Sequence, residues 1–290
     1  MKKLFVVFAL LCATVSCYAD TTAVPAPPPP ASPGDFTSMF GAGSADGLHG
    51  KYDKGIAELT KAVSLATTNE QKAEALFQIG NMYLAQKKFT EARANYDKVL
   101  AMDQINPSLK ASAWMPYAES YSQEGKYHEA RAAYNNILSL KDVPRSFHFY
   151  AQRKKIETYL SARQYVQARK ESEKLNSSNK IFAVTSVVAA YYIGESYLDE
   201  GNFETARKQF AKALNFKEDK NNSSPDNNMM FDIYQQKALL GIALSYFNQK
   251  QYGKAREEYA KIVKMNRWGK FKSEAANEIR VIDNMQKNWK

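Results

Sequence analysis

The chain has 290 residues, 44% of them hydrophobic and 24% charged, with a formal net charge of +10. Its two cysteines, Cys12 and Cys17, both fall in the first twenty residues, and His49, His128 and His148 are scattered without i, i+4 pairing. That usage argues against a disulfide scaffold, thiol catalysis or a metal site. No Gly-x-Ser-x-Gly elbow or phosphate-loop ending is present, and the expectation is a chain that is not an enzyme and holds no cofactor.

The first element, residues 1–19, reads as a secretory signal peptide. Lys2-Lys3 precede an apolar run from Leu4 to Val15 that is too short for a stable membrane span. Its exit can be read two ways. Cys17-Tyr18-Ala19 before Asp20 approximates the small–x–Ala site of ordinary cleavage, whereas Thr14-Val15-Ser16-Cys17 resembles a bacterial lipobox and makes Cys17 a lipidation candidate. On either reading the mature chain is exported, to the periplasm or as a membrane-anchored lipoprotein, and has no transmembrane helix. Residues 20–50 form a Pro/Gly-rich tether. DTTAVPAPPPPASPGD favours an extended spacer, and Gly41, Gly43, Gly47 and Gly50 weaken a helix over the following stretch. Phe36, Met39 and Phe40 nevertheless suit a segment that folds back over the first hairpin.

From residue 51 to 265 one frame repeats. Tyr83, Tyr121, Tyr159 and Tyr197 are spaced by 38 residues, and Tyr246 follows after 49. Six residues after each comes Phe89, Tyr127, Tyr165, Phe203 or Tyr252. Three further on is an alanine followed by arginine: Ala92-Arg93, Ala130-Arg131, Ala168-Arg169, Ala206-Arg207, Ala255-Arg256. Four beyond that alanine stand Tyr96, Tyr134, Phe210 and Tyr259, with Ser172 as the exception. Three before each tyrosine stand Gly80, Ala118, Gly194 and Ala243, with Ile156 as the misfit. Small residues opposite large aromatics at a fixed offset describe helical hairpins that pack knob into groove and stack on their neighbours. Tyr52, Gly55, Leu59 and Ala62 add half a copy in front. The odd pair Ile156 and Ser172 suggests a splayed hairpin, Asn106-Pro107 a capped helix start, and Pro116 a kink. Lys217 to Asn228 reads as a solvated loop that accounts for the longer interval, and residues 266–290 as a capping helix.

This pattern resembles the tetratricopeptide repeat (TPR). The resemblance implies an all-α, right-handed superhelical solenoid of antiparallel hairpins, about five full repeats plus the half copy, that binds a protein or peptide through its concave groove. By that resemblance the groove is lined by Phe77, Asn81, Met115, Glu119, Arg153, Glu157, Tyr191, Glu195, Leu240, Leu244 and Phe247. Glu119, Glu157 and Glu195 share one frame position and form an acidic row suited to orienting a basic, partly apolar peptide. The alternative is that these glutamates pair with Arg153, Lys154 or neighbours. Among known kinds the chain looks most like periplasmic TPR adaptors of the bacterial cell envelope. Residues 250–290 carry 11 Lys or Arg against 5 Asp or Glu. This basic end could instead meet an anionic glycan or membrane surface, which is the second functional expectation. Nucleic acid is not an expected partner of an exported chain.

Overall fold

A computed structural model describes residues 34–178, 183–217, 225–264 and 269–287. The signal-peptide expectation, Cys17 and the proline run therefore lie outside the described residues. Those residues form thirteen helices and no strand, joined by short turns. In order they are α1 (Phe36–Leu48), α2 (Tyr52–Leu65), α3 (Asn69–Ala85), α4 (Phe89–Leu100), α5 (Pro107–Gln123), α6 (Tyr127–Ser139), α7 (Arg145–Ser161), α8 (Tyr165–Ser178), α9 (Ala183–Asp199), α10 (Phe203–Asn215), α11 (Pro225–Asn248), α12 (Tyr252–Lys264) and α13 (Gly269–Lys287). Each odd-numbered helix up to α11 pairs with the even-numbered one after it, and α13 packs on α12 as a single closing helix. The chain is a solenoid of six hairpins.

Local chemistry sets the helix starts. Asp35, Thr68 and Asn202 each accept a backbone N–H of the first turn of α1, α3 and α10. Asn106 Oδ1 does the same for Ser108 N at 2.8 Å ahead of Pro107, as the sequence suggests. The turn between paired helices always places the residue four after the frame tyrosine in the left-handed region. Gly125 (φ +75°) and Gly201 (φ +80°) do this easily, while Lys87, Arg163 and Lys250 take φ 60°, 56° and 60° despite their Cβ atoms. α5 runs through Pro116 without a break.

Small residues bring the paired helices together. A Cβ added to Gly80 would lie 2.5 Å from Cε1 of Tyr96, and one added to Gly194 2.7 Å from the ring of Phe210. Ile156 and Ser172 exchange large and small across the same interface. Both are fully buried, and Ser172 Oγ donates to Ala168 O at 2.8 Å, so the interface of α7 and α8 stays filled. The core is accordingly a ribbon of adjoining clusters, from Leu59 and Met82 at one end, through Tyr96, Tyr134 and Phe210, to Tyr259 and Ile282 at the other.

Two sequence readings need correction at the array's edges. The tether does not extend to Gly50, because residues 36–48 are helical, and the half copy is the second helix of a complete hairpin. Gly43 is what makes this possible. Its missing Cβ would stand 2.7 Å from Leu59 Cγ and 2.9 Å from the Gly55 carbonyl, so the glycines are the contact surface of α1 on α2. Phe36, Met39 and Phe40 do pack over the first cluster. At the other site, α11 starts at Pro225, so the last residues of the expected loop are helix.

Candidate binding groove

First helices of successive hairpins touch directly, α3 with α5, α5 with α7 and α9 with α11. They therefore form the inner row, and residues on their free faces line the concave side. The residue after each small frame position makes one file along it: Asn81, Glu119, Glu157, Glu195 and Leu244. The second-helix aromatic explains part of this file. Tyr96 Oη donates to Asn81 Oδ1 at 2.8 Å, and Tyr134 Oη to Glu119 Oε2 at 3.3 Å, each across 15 residues of sequence. Where Ser172 and Phe210 replace the tyrosine, no such phenol exists for Glu157 and Glu195.

The acidic row expected to meet a ligand is thus largely satisfied from within. Arg153 Nη1 lies 2.7 Å from Glu157 Oε1, and Lys154 Nζ lies 3.0 Å from Glu157 Oε2 and 3.6 Å from Glu119 Oε2. Tyr192 Oη donates to Glu157 Oε1 at 2.5 Å and shares a 2.8 Å bond with Tyr234 Oη, which also accepts from Arg153 Nη1 at 3.3 Å. That last contact joins α7 to α11 past α9. Burial pushes the Glu157 carboxyl up, but Arg153, Lys154 and the Tyr192 hydroxyl together bring it down to about 2. Glu195 differs. Burial dominates there, with Asp199 and Glu157 adding to it against Lys237 and Tyr191, and its carboxyl is raised to about 7.

The remaining expected groove residues are placed as follows. Phe77 packs on Tyr96 with ring centroids 6.1 Å apart, and Met115 packs on the Tyr134 cluster. Tyr191 contacts the rings of Tyr192, Tyr234 and Phe210. Leu240 and Phe247 flank the last cluster, and Leu244 is 40% exposed. The structure brings Arg153, Glu157, Tyr191 and Glu195 to one place and leaves Phe77, Asn81 and Met115 nearer one end, with Leu240, Leu244 and Phe247 nearer the other.

Sequence reasoning missed a second periodic device. The arginine that follows each frame alanine reaches the next hairpin. The guanidiniums of Arg93, Arg131, Arg169 and Arg207 stack on Tyr121, Tyr159, Tyr197 and Tyr246 at 4.3 to 4.4 Å. Arg93 Nη1 also donates to Ser120 Oγ (3.1 Å) and Glu124 Oε2 (2.6 Å). Arg169 bonds Ser196 and Glu200 in the same way, and Arg207 bonds Ser245 and Gln249. Arg256 closes the series on Asp283 of α13 at 2.8 Å. At Arg131 the acid position is Ala162, and Nη1 is buried with no hydrogen-bond partner among the described residues. Ala162→Glu is expected to complete this clasp and to raise stability by about 1 kcal/mol, read as a higher Tm. An unchanged or lower Tm would show that the seam does not need the acid. The spacing Ser–Tyr–x–x–Glu was available in the sequence as the signal.

Models of the tetratricopeptide repeat match residues 73–106, 111–143, 188–215 and 237–266. These four segments are tetratricopeptide repeats. The α7–α8 hairpin, with its exchanged Ile156 and Ser172, lies between matched TPR segments. Solved structures agree on the fold. A tetratricopeptide repeat protein from Parabacteroides merdae ATCC 43184 is 17% identical, with 86% of this chain and 93% of that one covered and a TM-score of 0.57. A Signal Transduction ATPase with Numerous Domains protein with a tetratricopeptide repeat sensor, from Pyrococcus horikoshii, is 13% identical at a TM-score of 0.58, covering 87% of this chain but 39% of that one. The apo form of RapI is 13% identical at 0.53, covering 87% and 72%. At these identities the likeness concerns the TPR fold alone. No curated protein matches the chain. Among the described residues no helix is long and apolar enough to cross a membrane, and no group of three or more His, Cys, Asp or Glu could hold a metal ion.

Proposed function

We propose that this chain is a non-catalytic scaffold that takes a protein partner along the concave face of its TPR array, and that it works as an exported adaptor in a bacterial cell envelope. The observation that carries the binding half is the file of first-helix side chains, which ends in an open apolar stretch. Leu244 is 40% exposed beside the partly buried Leu240 and Phe247, and an exposed leucine among aromatics is a site where a partner's apolar side chain removes area from water. The envelope half is supported by the apolar leader and the proline-rich stretch that follows it.

A photo-crosslinking residue at Leu244 in the native host, with His128 on the exposed face of α6 as control, tests both. A discrete protein adduct at Leu244 alone, recovered with the envelope fraction, is the expected result. Adducts at neither position, with the protein still held in the envelope through salt-sensitive contacts, would overturn the groove and favour the basic residues of α12 and α13.

A further inference from the structure

α13 is a first helix without a second, and Arg256 fixes its register in the repeat. Arg207 of α10 reaches Tyr246 and Ser245 of α11. Arg256 of α12 reaches Asp283 of α13 in the same way, so Asp283 stands where Tyr246 stands. Burial follows that register. Ala275 matches Ala238 and Ile282 matches Ser245, and all four are fully buried. The residue that matches Ala243, where a second helix would pack, is the exposed Arg280. Val281 therefore matches Leu244 and extends the file along the concave face. Both side chains are open, at 44% and 40% exposure. The register also sets a carboxylate beside them. The residue three before a file position reaches the file residue of the preceding hairpin, as Lys154 reaches Glu119 at 3.6 Å and Tyr192 reaches Glu157 at 2.5 Å. On α13 that residue is Glu278, and the file residue it meets is Leu244, which offers it no polar atom. Burial, and then Glu274 one turn away, raise the Glu278 carboxyl. Neither glutamate has an ion pair among the described residues. Like charges at i, i+4 oppose each other on a helix, and an apolar pair left open keeps its area in water.

We propose that Leu244 and Val281, with Glu274 and Glu278 beside them, are the docking point for a partner segment that carries apolar side chains next to lysine or arginine. The apolar side chains cover Leu244 and Val281, and the cations relieve the repulsion between the two carboxylates. This rests on the groove reading and adds the chemistry of the partner to it. It also places contact at the α11–α13 end, away from Glu119 and Glu157, which Lys154 and Arg153 already hold. In a chain of net charge +10 the site is a local patch of the opposite sign, so it selects a partner that the rest of the surface repels.

The test uses the full chain and two fluorescein-labelled peptides. One is built of leucine and lysine with its leucines at i, i+3 and i+4 spacing, and the other has glutamate in place of each lysine. The native chain is expected to bind the leucine–lysine peptide about ten-fold more tightly. General attraction to a chain of net charge +10 gives the opposite order, so this preference reports the local carboxylates. Leu244→Ser with Val281→Ser is expected to weaken binding about ten-fold. Glu274→Lys with Glu278→Lys is expected to reverse the order of the two peptides. Each variant keeps a native-like Tm, because none of the four side chains is buried. Preference of the native chain for the leucine–glutamate peptide, or binding of neither, would overturn the assignment. So would equal binding of the leucine–lysine peptide by the native and charge-reversed chains. The groove reading fails separately, on the absence of an adduct at Leu244 in the native host.

Discussion

Phe210→Ala is expected to cost about 3–5 kcal/mol of unfolding free energy, measured by urea denaturation followed by circular dichroism. The ring is 1% exposed and fills a notch made by two glycines on different helices. A Cβ on Gly194 would lie 2.7 Å from Cδ1 of Phe210, and one on Gly241 2.5 Å from Cε2. One side chain therefore sets the approach of α9 and α11 to α10, and an alanine there leaves a void that two helix backbones cannot close without shifting. In an array of stacked repeats each unit's stability adds to the terms at its two seams. Amide exchange is therefore expected to speed up most over α9–α12 and least over α3–α6. A loss under about 1 kcal/mol would mean that the glycines collapse into the space and that the notch does not determine the spacing.

Glu157→Leu is expected to be nearly as costly, about 3–5 kcal/mol, because it leaves Arg153 and Lys154 half-buried without their shared carboxylate. Removing Arg153 with it, as Arg153→Met with Glu157→Leu, is expected to cost less than the single change. If the double variant were the weaker of the two, the ion pair would be contributing more than its desolvation penalty. The pH dependence has a defined sign. The Glu157 carboxyl lies at about 2 in the folded chain, below its ordinary 4.5. Its contribution is complete above about pH 4.5 and is lost as pH falls toward 2. The Glu195 carboxyl lies at about 7. Its contribution is complete below about pH 4.5 and is lost as pH rises through 7. Tm followed from pH 3 to 8 in the native chain and in Glu195→Gln separates the two, since only the loss on the alkaline side vanishes in the variant.

What the sequence made legible was whatever repeats locally. The tyrosine period, the small residues facing Tyr96 and Phe210, the Asn106-Pro107 start and the positive φ of Gly201 all follow from neighbours within one hairpin. The first hairpin was read wrongly because glycine is a poor helix former in isolation. At Gly43 the close contact with Leu59 and the Gly55 carbonyl overrides that preference. Lys87, Arg163 and Lys250 show the converse, since the turn's geometry holds them at a φ that glycine takes easily. The groove was legible as a list of positions but not as a charge pattern. The pairing of Glu157 with Arg153 and Lys154 was open to the sequence as the local alternative, but its bond from Tyr192, 35 residues away, and the adjoining Arg153–Tyr234 bond across 81 residues were not, because a period of 38 does not encode such distances. The arginine ladder lay between these cases, visible as a repeated Ala-Arg but unexplained until its acceptors in the next hairpin were seen.

The Arg153–Tyr234 contact also bears on the chain's mechanics. A superhelix of stacked hairpins is a spring, and its compliance comes from small rotations at every seam between neighbours. A bond between α7 and α11 ties repeats that are two apart, so the seams between them cannot open independently. Under tension or torsion the middle of the array moves as one stiff block, and extension falls mainly on the coils on either side, where the hydrogen bonds seen between hairpins, such as Arg93–Glu124 and Arg207–Gln249, join immediate neighbours.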